Sequence, residues 1–184
     1  MSDITLETTR LILRRFTPDD WQDLLEIARS KESSPYAYTD LPWPTKEEWA
    51  KGAAAYMAAD HAMWAMARKE DGKVLCFINC NGMNEARLMD IGHVMNRAYA
   101  GQGYEEEALA ALYQYIFETT DAVGITAAWA LEDTVKTAPL LALGMEIAQQ
   151  STADAFDGSG RKFTACRLRI TREMWYNCKT NSKV

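Results

Sequence analysis

The most constraining stretch of this chain is Asp90-Ile91-Gly92-His93-Val94-Met95, followed by the loop Ala100-Gly101-Gln102-Gly103-Tyr104. The first part alternates with period two, and a helical pattern opens directly after the second glycine. A strand that passes through a short glycine loop straight into a helix ties sheet and helix together at one point. It also aims several N–H groups and the positive end of a helix dipole at that point, which makes an anion-binding site. Glu105, Glu106 and Glu107 crowd the same place, so the anion must meet an acidic first turn.

The bulk numbers narrow the class. With 184 residues the chain is expected to form a single domain spanning residues 1–184 with a core of its own. A net charge of -6 argues against a nucleic-acid binder that works by neutralising phosphates. No apolar run approaches the length of a membrane span, and the opening Met1-Ser2-Asp3-Ile4 lacks a signal-peptide layout, so a cytoplasmic protein is expected. Four cysteines form no framework: Cys76 and Cys80 share a strand face, while Cys166 and Cys178 lie far off. There is no CxxC pair and only two histidines, His61 and His93, so no metal is expected and the thiols read as buried.

Periodicity then orders the chain. Ile4, Leu6, Leu11 and Leu13 alternate with polar residues in an opening strand broken near Thr8-Thr9. Thr17-Pro18-Asp19-Asp20 reads as a helix entry, and Trp21, Leu24, Leu25 and Ala28 give that helix its apolar stripe. An aromatic loop, Ser33 to Pro44, ends at Thr45-Lys46-Glu47-Glu48, which reads as a capping box for a second helix. Met63–Ala67, Val74–Asn81 and Leu88–Met95 read as three strands, with Asp71-Gly72 as a turn. A helix over 103–118 turns Ala108, Leu109, Leu112, Tyr115 and Ile116 inward. Ile125–Ala130 is a strand, 133–143 a helix interrupted by Pro139 and stopped by Gly144, and Glu146–Ala155 and Lys162–Ile170 are closing strands. The layout is mixed α/β.

This order, with the loop at Gly101 to Gly103, resembles the GNAT acyltransferase superfamily, and within it the RimJ/RimL-type N-acetyltransferases. The opening Leu6 to Arg14, the stretch from Ile91 through Tyr104 to Glu107-Ala108-Leu109, Leu143-Gly144-Met145 and the closing Gly160 to Trp175 carry the resemblance. It implies a largely antiparallel twisted sheet of about seven strands flanked by about four helices. It also implies acetyl-CoA as co-substrate and a primary amine, on a protein N-terminus or a small molecule, as acceptor. Backbone groups near His93 and Met95 would pair with the pantetheine arm, and the amides of Gly101, Gln102, Gly103, Tyr104 and Glu105 would hold the diphosphate. Asp133 and Lys136 stand on the second cofactor helix. The amine attacks the thioester directly, which leaves the protein to position, deprotonate and stabilise charge.

Several positions depart from the family loop Gln/Arg-x-x-Gly-x-Gly/Ala. Ala100 replaces its polar first residue, Glu105 its small last one, Gln102 the usual cation, Asp133 an asparagine and Lys136 a small residue. Two readings follow: an acetyltransferase that holds acyl-CoA through backbone groups, or a catalytically inactive binding or regulatory protein with an eroded CoA site. Asp90, just before Ile91-Gly92, is a candidate base for the substrate ammonium or a charge that fixes a loop. His93, where the family has an aromatic, is a candidate base or a core histidine. Tyr36, Tyr38, Asp40 and Trp43 would suit an ammonium by cation–π and ion pairing, or simply pack under the loop. No thiolate acid is evident, because Leu140 and Leu141 occupy the helix that usually carries it. The sequence leaves monomer and homodimer equally open.

Overall fold

A computed structural model describes residues 4–181; the opening Met1-Ser2-Asp3, on which the leader reading rests, lies outside the described residues. The elements run β1 (Leu6–Glu7), β2 (Leu11–Arg14), α1 (Trp21–Glu32), α2 (Glu47–Ala59), β3 (Met63–Arg68), β4 (Val74–Met83), β5 (Leu88–Met95) and α3 (Tyr104–Thr119). They continue with β6 (Gly124–Ala130), α4 (Thr134–Ala142), β7 (Glu146–Asp154), β8 (Lys162–Thr171) and α5 (Arg172–Asn181). The described strands form one sheet of eight in the order β1-β2-β3-β4-β5-β6-β8-β7. Every pairing is antiparallel except β5 with β6. This is the expected mixed α/β architecture with one more strand and one more helix.

The extra strand comes from the break at Thr8-Thr9, which is a turn. Thr8 donates its N–H to Leu11 O at 3.0 Å and accepts the Leu11 N–H on Oγ1 at 3.0 Å. The chain therefore doubles back, and Leu6 sits opposite Leu13. The extra helix, α5, buries Trp175. At the helix starts, one expectation holds and one fails. Asp20 Oδ2 accepts the Thr17 N–H at 2.7 Å, with Pro18 opening a 3-10 turn ahead of α1. The capping box at Thr45 does not form: Lys46 is the N-cap of α2 and makes no side-chain cap bond, so Glu47 and Glu48 act only as first-turn acids. The thiols also divide, Cys76 and Cys166 buried, Cys80 half-buried and Cys178 exposed.

The sheet separates two apolar layers. On one side Leu11, Leu13, Leu75, Ile91 and Leu168 meet Leu109, Leu112 and Ile116 of α3. On the other, Phe77 and Val94 meet Phe16, Leu24, Ile27 and Ala54 from the segment around α1 and α2. Tyr113 and Phe117 of α3 are fully buried, whereas Tyr115 is half-buried against Trp64, with ring centroids 6.0 Å apart. Among the described residues no helix is long and apolar enough to cross a membrane.

Candidate functional site

The site begins where the two parallel strands part. β5 and β6 pair only through Leu88↔Gly124, Met89↔Ile125 and Asp90↔Thr126. Beyond that, β5 stays with β4 as far as Met95↔Cys76, and β6 stays with β8 as far as Ala130↔Ala165. The two halves of the sheet thus diverge from a vertex at Asp90 and Thr126. Past the vertex β5 has a strand neighbour on one side only, so its alternate N–H and C=O groups face a wedge. Gly124 permits the tight junction at the vertex end: a Cβ there would lie 2.9 Å from Leu88 Cδ2 and 3.0 Å from Ile170 O.

The loop at the mouth of the wedge is built for exposed amides. Asn96 Oδ1 accepts the Ala98 N–H at 3.2 Å and starts a 3-10 turn, Arg97–Tyr99. Gly101 and Gly103 then take φ of 73° and 75°, a region that favours glycine. From Gly101 to Glu106 no backbone N–H finds an acceptor among the described residues. Arg10 pins this loop from behind, donating Nη1 to Gln102 O at 3.0 Å and lying 4.3 Å over the Tyr104 ring. Its Nε donates to Glu107 Oε2 at 2.6 Å, and Thr8 Oγ1 donates to Glu107 Oε1 at 2.6 Å. Glu107 is therefore a brace beneath the loop. Tyr99 lies under Arg68, 5.3 Å from its guanidinium.

Glu105 does the opposite and points inward. Its side chain is 3 % exposed, and Oε1 lies 3.3 Å from Nε2 of His93, which is fully enclosed. The pair lacks the alignment of a hydrogen bond, and His93 Nδ1 and Nε2, Glu105 Oε1 and Trp129 Nε1 are all buried without a partner among the described residues. Trp129 sets its ring edge-on to His93, centroids 5.3 Å apart. The inside of the wedge is thus an imidazole, a carboxylate and an indole with unspent polar atoms. Burial, and next the charge of Glu105, push the neighbouring Cys76 thiol well up.

Outside this core, three cations and three carboxylates line one cleft: Lys31, Arg97 and Lys136 against Asp40, Asp133 and Glu105. Arg97 Nη1 donates to Asp133 Oδ1 at 3.1 Å. Asp133 is buried at the N-cap of α4, yet its carboxylate serves Arg97 and makes no cap bond. Lys136 lies 4.0 Å over the Trp129 ring and 3.6 Å from Asp40. Burial holds its ammonium below the ordinary lysine value, against the pull of Asp40 and Asp133. Lys31, itself buried, donates to Leu41 O at 2.6 Å and Glu32 at 2.9 Å and lies 3.8 Å from Asp40. Val94, Met95 and Tyr36 also line the cleft.

The structure sorts the remaining candidates. Tyr36 and Asp40 reach the cleft. Tyr38 instead packs edge-on to Phe163 at 6.3 Å with Arg161 over its face at 3.9 Å. Trp43 packs on Trp49 and Phe77, each at 5.7 Å, in the α1–α2 layer. Asp90 stands at the vertex, where it accepts hydrogen bonds from Asn81 Nδ2 at 2.8 Å and Thr126 Oγ1 at 3.0 Å, with Arg167 at 3.5 Å. Lys31, Arg97 and Trp129 are site residues that sequence reasoning did not reach. Among the described residues no cluster of three or more His, Cys, Asp or Glu is placed to hold a metal.

A wedge between parting parallel strands, with bare amides at a glycine loop, coincides with a family match. The model of the acetyltransferase (GNAT) domain matches residues 10–146. The chain belongs to the GNAT acetyltransferase family. Solved structures agree at the level of the fold. A GNAT-family acetyltransferase from Bacillus anthracis superposes with a TM-score of 0.78 at 19 % identity, covering 92 % of this chain and 99 % of the other. The ribosomal-protein-S5-alanine acetyltransferase of Vibrio fischeri gives 0.75 at 14 % identity, covering 94 % and 99 %. RimL, a ribosomal L7/L12 alpha-N-protein acetyltransferase in complex with coenzyme A, gives 0.75 at 13 % identity, covering 91 % and 98 %.

The residues of this GNAT acetyltransferase fit an acyl-CoA in two respects. The one-sided strand β5 and the unspent polar atoms of His93 and Trp129 match an amide-bearing arm. The bare amides from Gly101 onward match a diphosphate. Lys31, Arg97 and Lys136 bring cations to the adjoining cleft, each already facing a carboxylate. Glu105 lies against His93 and also lines the cleft.

Proposed function

We propose that this GNAT acetyltransferase transfers an acetyl group from acetyl-CoA to a primary amine, on a protein N-terminus or a small molecule. The observation that carries the reading is the parallel ladder ending at Asp90↔Thr126, which opens a wedge beside a carboxylate. Acetyl-CoA supplies an activated acyl carbon that an amine can attack directly. His93, Trp129 and the open edge of β5 orient the arm, and the loop amides hold its charged end. Asp90 sits where the strands part and takes the proton that the ammonium must lose before attack. Asn81, Thr126 and Arg167 fix that carboxylate. Asp40 offers the acceptor's cation a counter-charge that it shares with Lys31 and Lys136, and Tyr36 offers an aromatic face. The two ribosomal-protein acetyltransferases among the structural neighbours support an amine acceptor.

The test is thermal. Acetyl-CoA at a hundred times its Kd stabilises the protein by about 2.7 kcal/mol and raises Tm accordingly. No shift at millimolar acetyl-CoA would overturn the reading and favour a GNAT fold kept for binding or regulation. Glu105→Ala gives a second check. The Glu105 carboxylate is buried beside His93 inside the wedge, where water screens it poorly, so removing that negative charge should tighten the anionic acetyl-CoA roughly tenfold. Unchanged affinity would place Glu105 off the ligand's path.

A further inference from the structure

The apolar layer between the sheet and α3 does not close at the C-terminal end of the helix. There Trp64, Cys80, Met89, Leu112 and Ile116 wall a cavity of about 260 Å³. That volume is close to the lower end of small-molecule pockets, roughly 300–1,000 Å³. Burial pushes the Cys80 thiol up to about 11, despite a hydrogen bond from Trp64, so this wall is uncharged at neutral pH. Leu112 and Ile116 are fully buried in the core, and the lip is formed by Ile4 and Thr120.

The mouth is chemically different. Arg15 and His61 stand in the lining, which contains no carboxylate. Arg15 is half-buried, and its guanidinium has neither a hydrogen bond nor an ion pair among the described residues. In a chain with net charge -6, where the other buried or half-buried arginines Arg14, Arg68, Arg97 and Arg172 all have acceptors, this cation stands apart. Arg15 continues the Leu11, Leu13 row of β2, so it rises from the same sheet face as the apolar walls.

The geometry points to a second binding site here, for a small amphipathic carboxylate whose hydrocarbon tail fills the cavity and whose anion meets Arg15 and His61. An apolar body of that volume with a single charged end answers both halves of the lining: the walls, aliphatic and aromatic with Tyr115 among them, take the tail, and the guanidinium gains a charge-assisted pair. The site is separate from the wedge. Glu105 and Ile116 are eleven residues apart on α3, or roughly 16 Å along its axis. Met89 and Asp90 adjoin in β5 but point to opposite faces of the sheet. The inference therefore does not rest on the transferase reading.

Octanoate is the probe and octan-1-ol its uncharged counterpart. In 15N-labelled full-length protein, octanoate should shift the Trp64 indole N–H resonance with saturable titration, and saturating acetyl-CoA should leave that titration unchanged. Arg15→Gln should weaken octanoate roughly tenfold or more while leaving octan-1-ol binding as it was. Cys80→Phe, which fills the cavity, should abolish both, and if that variant fails to fold, Met89→Trp blocks the same space from a half-exposed position. The site is refuted by any of three results: no Trp64 shift at millimolar octanoate, equal octanoate affinity in Arg15→Gln, or displacement of octanoate by acetyl-CoA.

Discussion

Asp90 owes its candidacy to position rather than to residue type. It is the last residue of β5 to have a partner in β6, and three side chains from three strands converge on its carboxylate. Asp90→Asn preserves size and most of these contacts but removes the base. Turnover should fall on the order of 10²–10⁴-fold while acetyl-CoA affinity stays within about twofold, as steady-state kinetics beside calorimetry would report. Full activity in the variant would make Asp90 a tie between strands. Its place was legible in the sequence because strand alternation and the glycine loop are local signals, and Glu105 was legible for the same reason. Lys31, Arg97 and Trp129 were not, since each enters the cleft through a neighbour remote in the chain. One signal went unread: Lys31 follows Leu24 and Ala28 at helical spacing, which places a cation on the buried stripe of α1. For Tyr38 and Trp43 the sequence left acceptor binding and packing both open, because an aromatic loop looks alike whether it lines a cleft or packs beneath it, and here both rings pack.

At the scale of elements, the parting strands need tight joints at their closed end. Gly124 is one. A Cβ on Gly124 would meet Leu88 Cδ2, which can rotate away, and the Ile170 carbonyl of β8, which must give by a few tenths of an ångström. Urea unfolding should show a loss of about 1–3 kcal/mol with an unchanged m-value; a neutral result would mean that the vertex yields. Arg172 is another joint. Its guanidinium donates to Phe117 O, to Thr120 O at 2.9 Å and to Ala122 O at 2.7 Å, satisfying carbonyls at and beyond the end of α3. Arg172→Ala should destabilise by about 2–4 kcal/mol in the same assay, and Arg172→Lys should recover only part, because an ammonium cannot reach three acceptors in a plane. The fold itself was largely legible, since periods of two and near four assign β3 to β6 and α1 to α4 without tertiary information. One helix escaped, and the break at Thr8-Thr9 was legible, but not its nature as a turn between two paired strands. α5 is polar apart from the face of Met174 and Trp175, and the β1–β2 turn depends on a threonine side chain where no glycine or proline marks it.

For the whole molecule, β2 is the strand that ties the two helical layers to the sheet, and it does so with charge. Arg10, just before it, braces Glu107 of α3 on one side, and Arg14, its last residue, holds Asp20 at the entrance to α1 on the other, with Nη1–Oδ2 and Nη2–Oδ1 both at 2.8 Å. Burial alone would raise both carboxyls. For Asp20 the hydrogen bonds from Arg14 and Thr17 and the charge of Arg14 outweigh it, and for Glu107 those from Thr8 and Arg10 do, so both are held below the usual carboxylate range. A carboxyl with a lowered pKa in the folded state gives stability that is fully present above its unfolded value of about 4. That stability is lost as pH falls through the folded value, because the unfolded chain then takes up protons that the native one refuses. Thermal melts should therefore stay level near neutrality and drop progressively from about pH 5 downward. Asp20→Asn and Glu107→Gln should each lower Tm at pH 7 and flatten the acid limb, since neither variant has that proton to take up. The double variant should be flatter than either, because the two carboxyls brace opposite faces of the sheet and share no partner. Acid limbs parallel to wild type in both single variants would remove β2 from this role and assign the acid lability of the fold to carboxylates elsewhere.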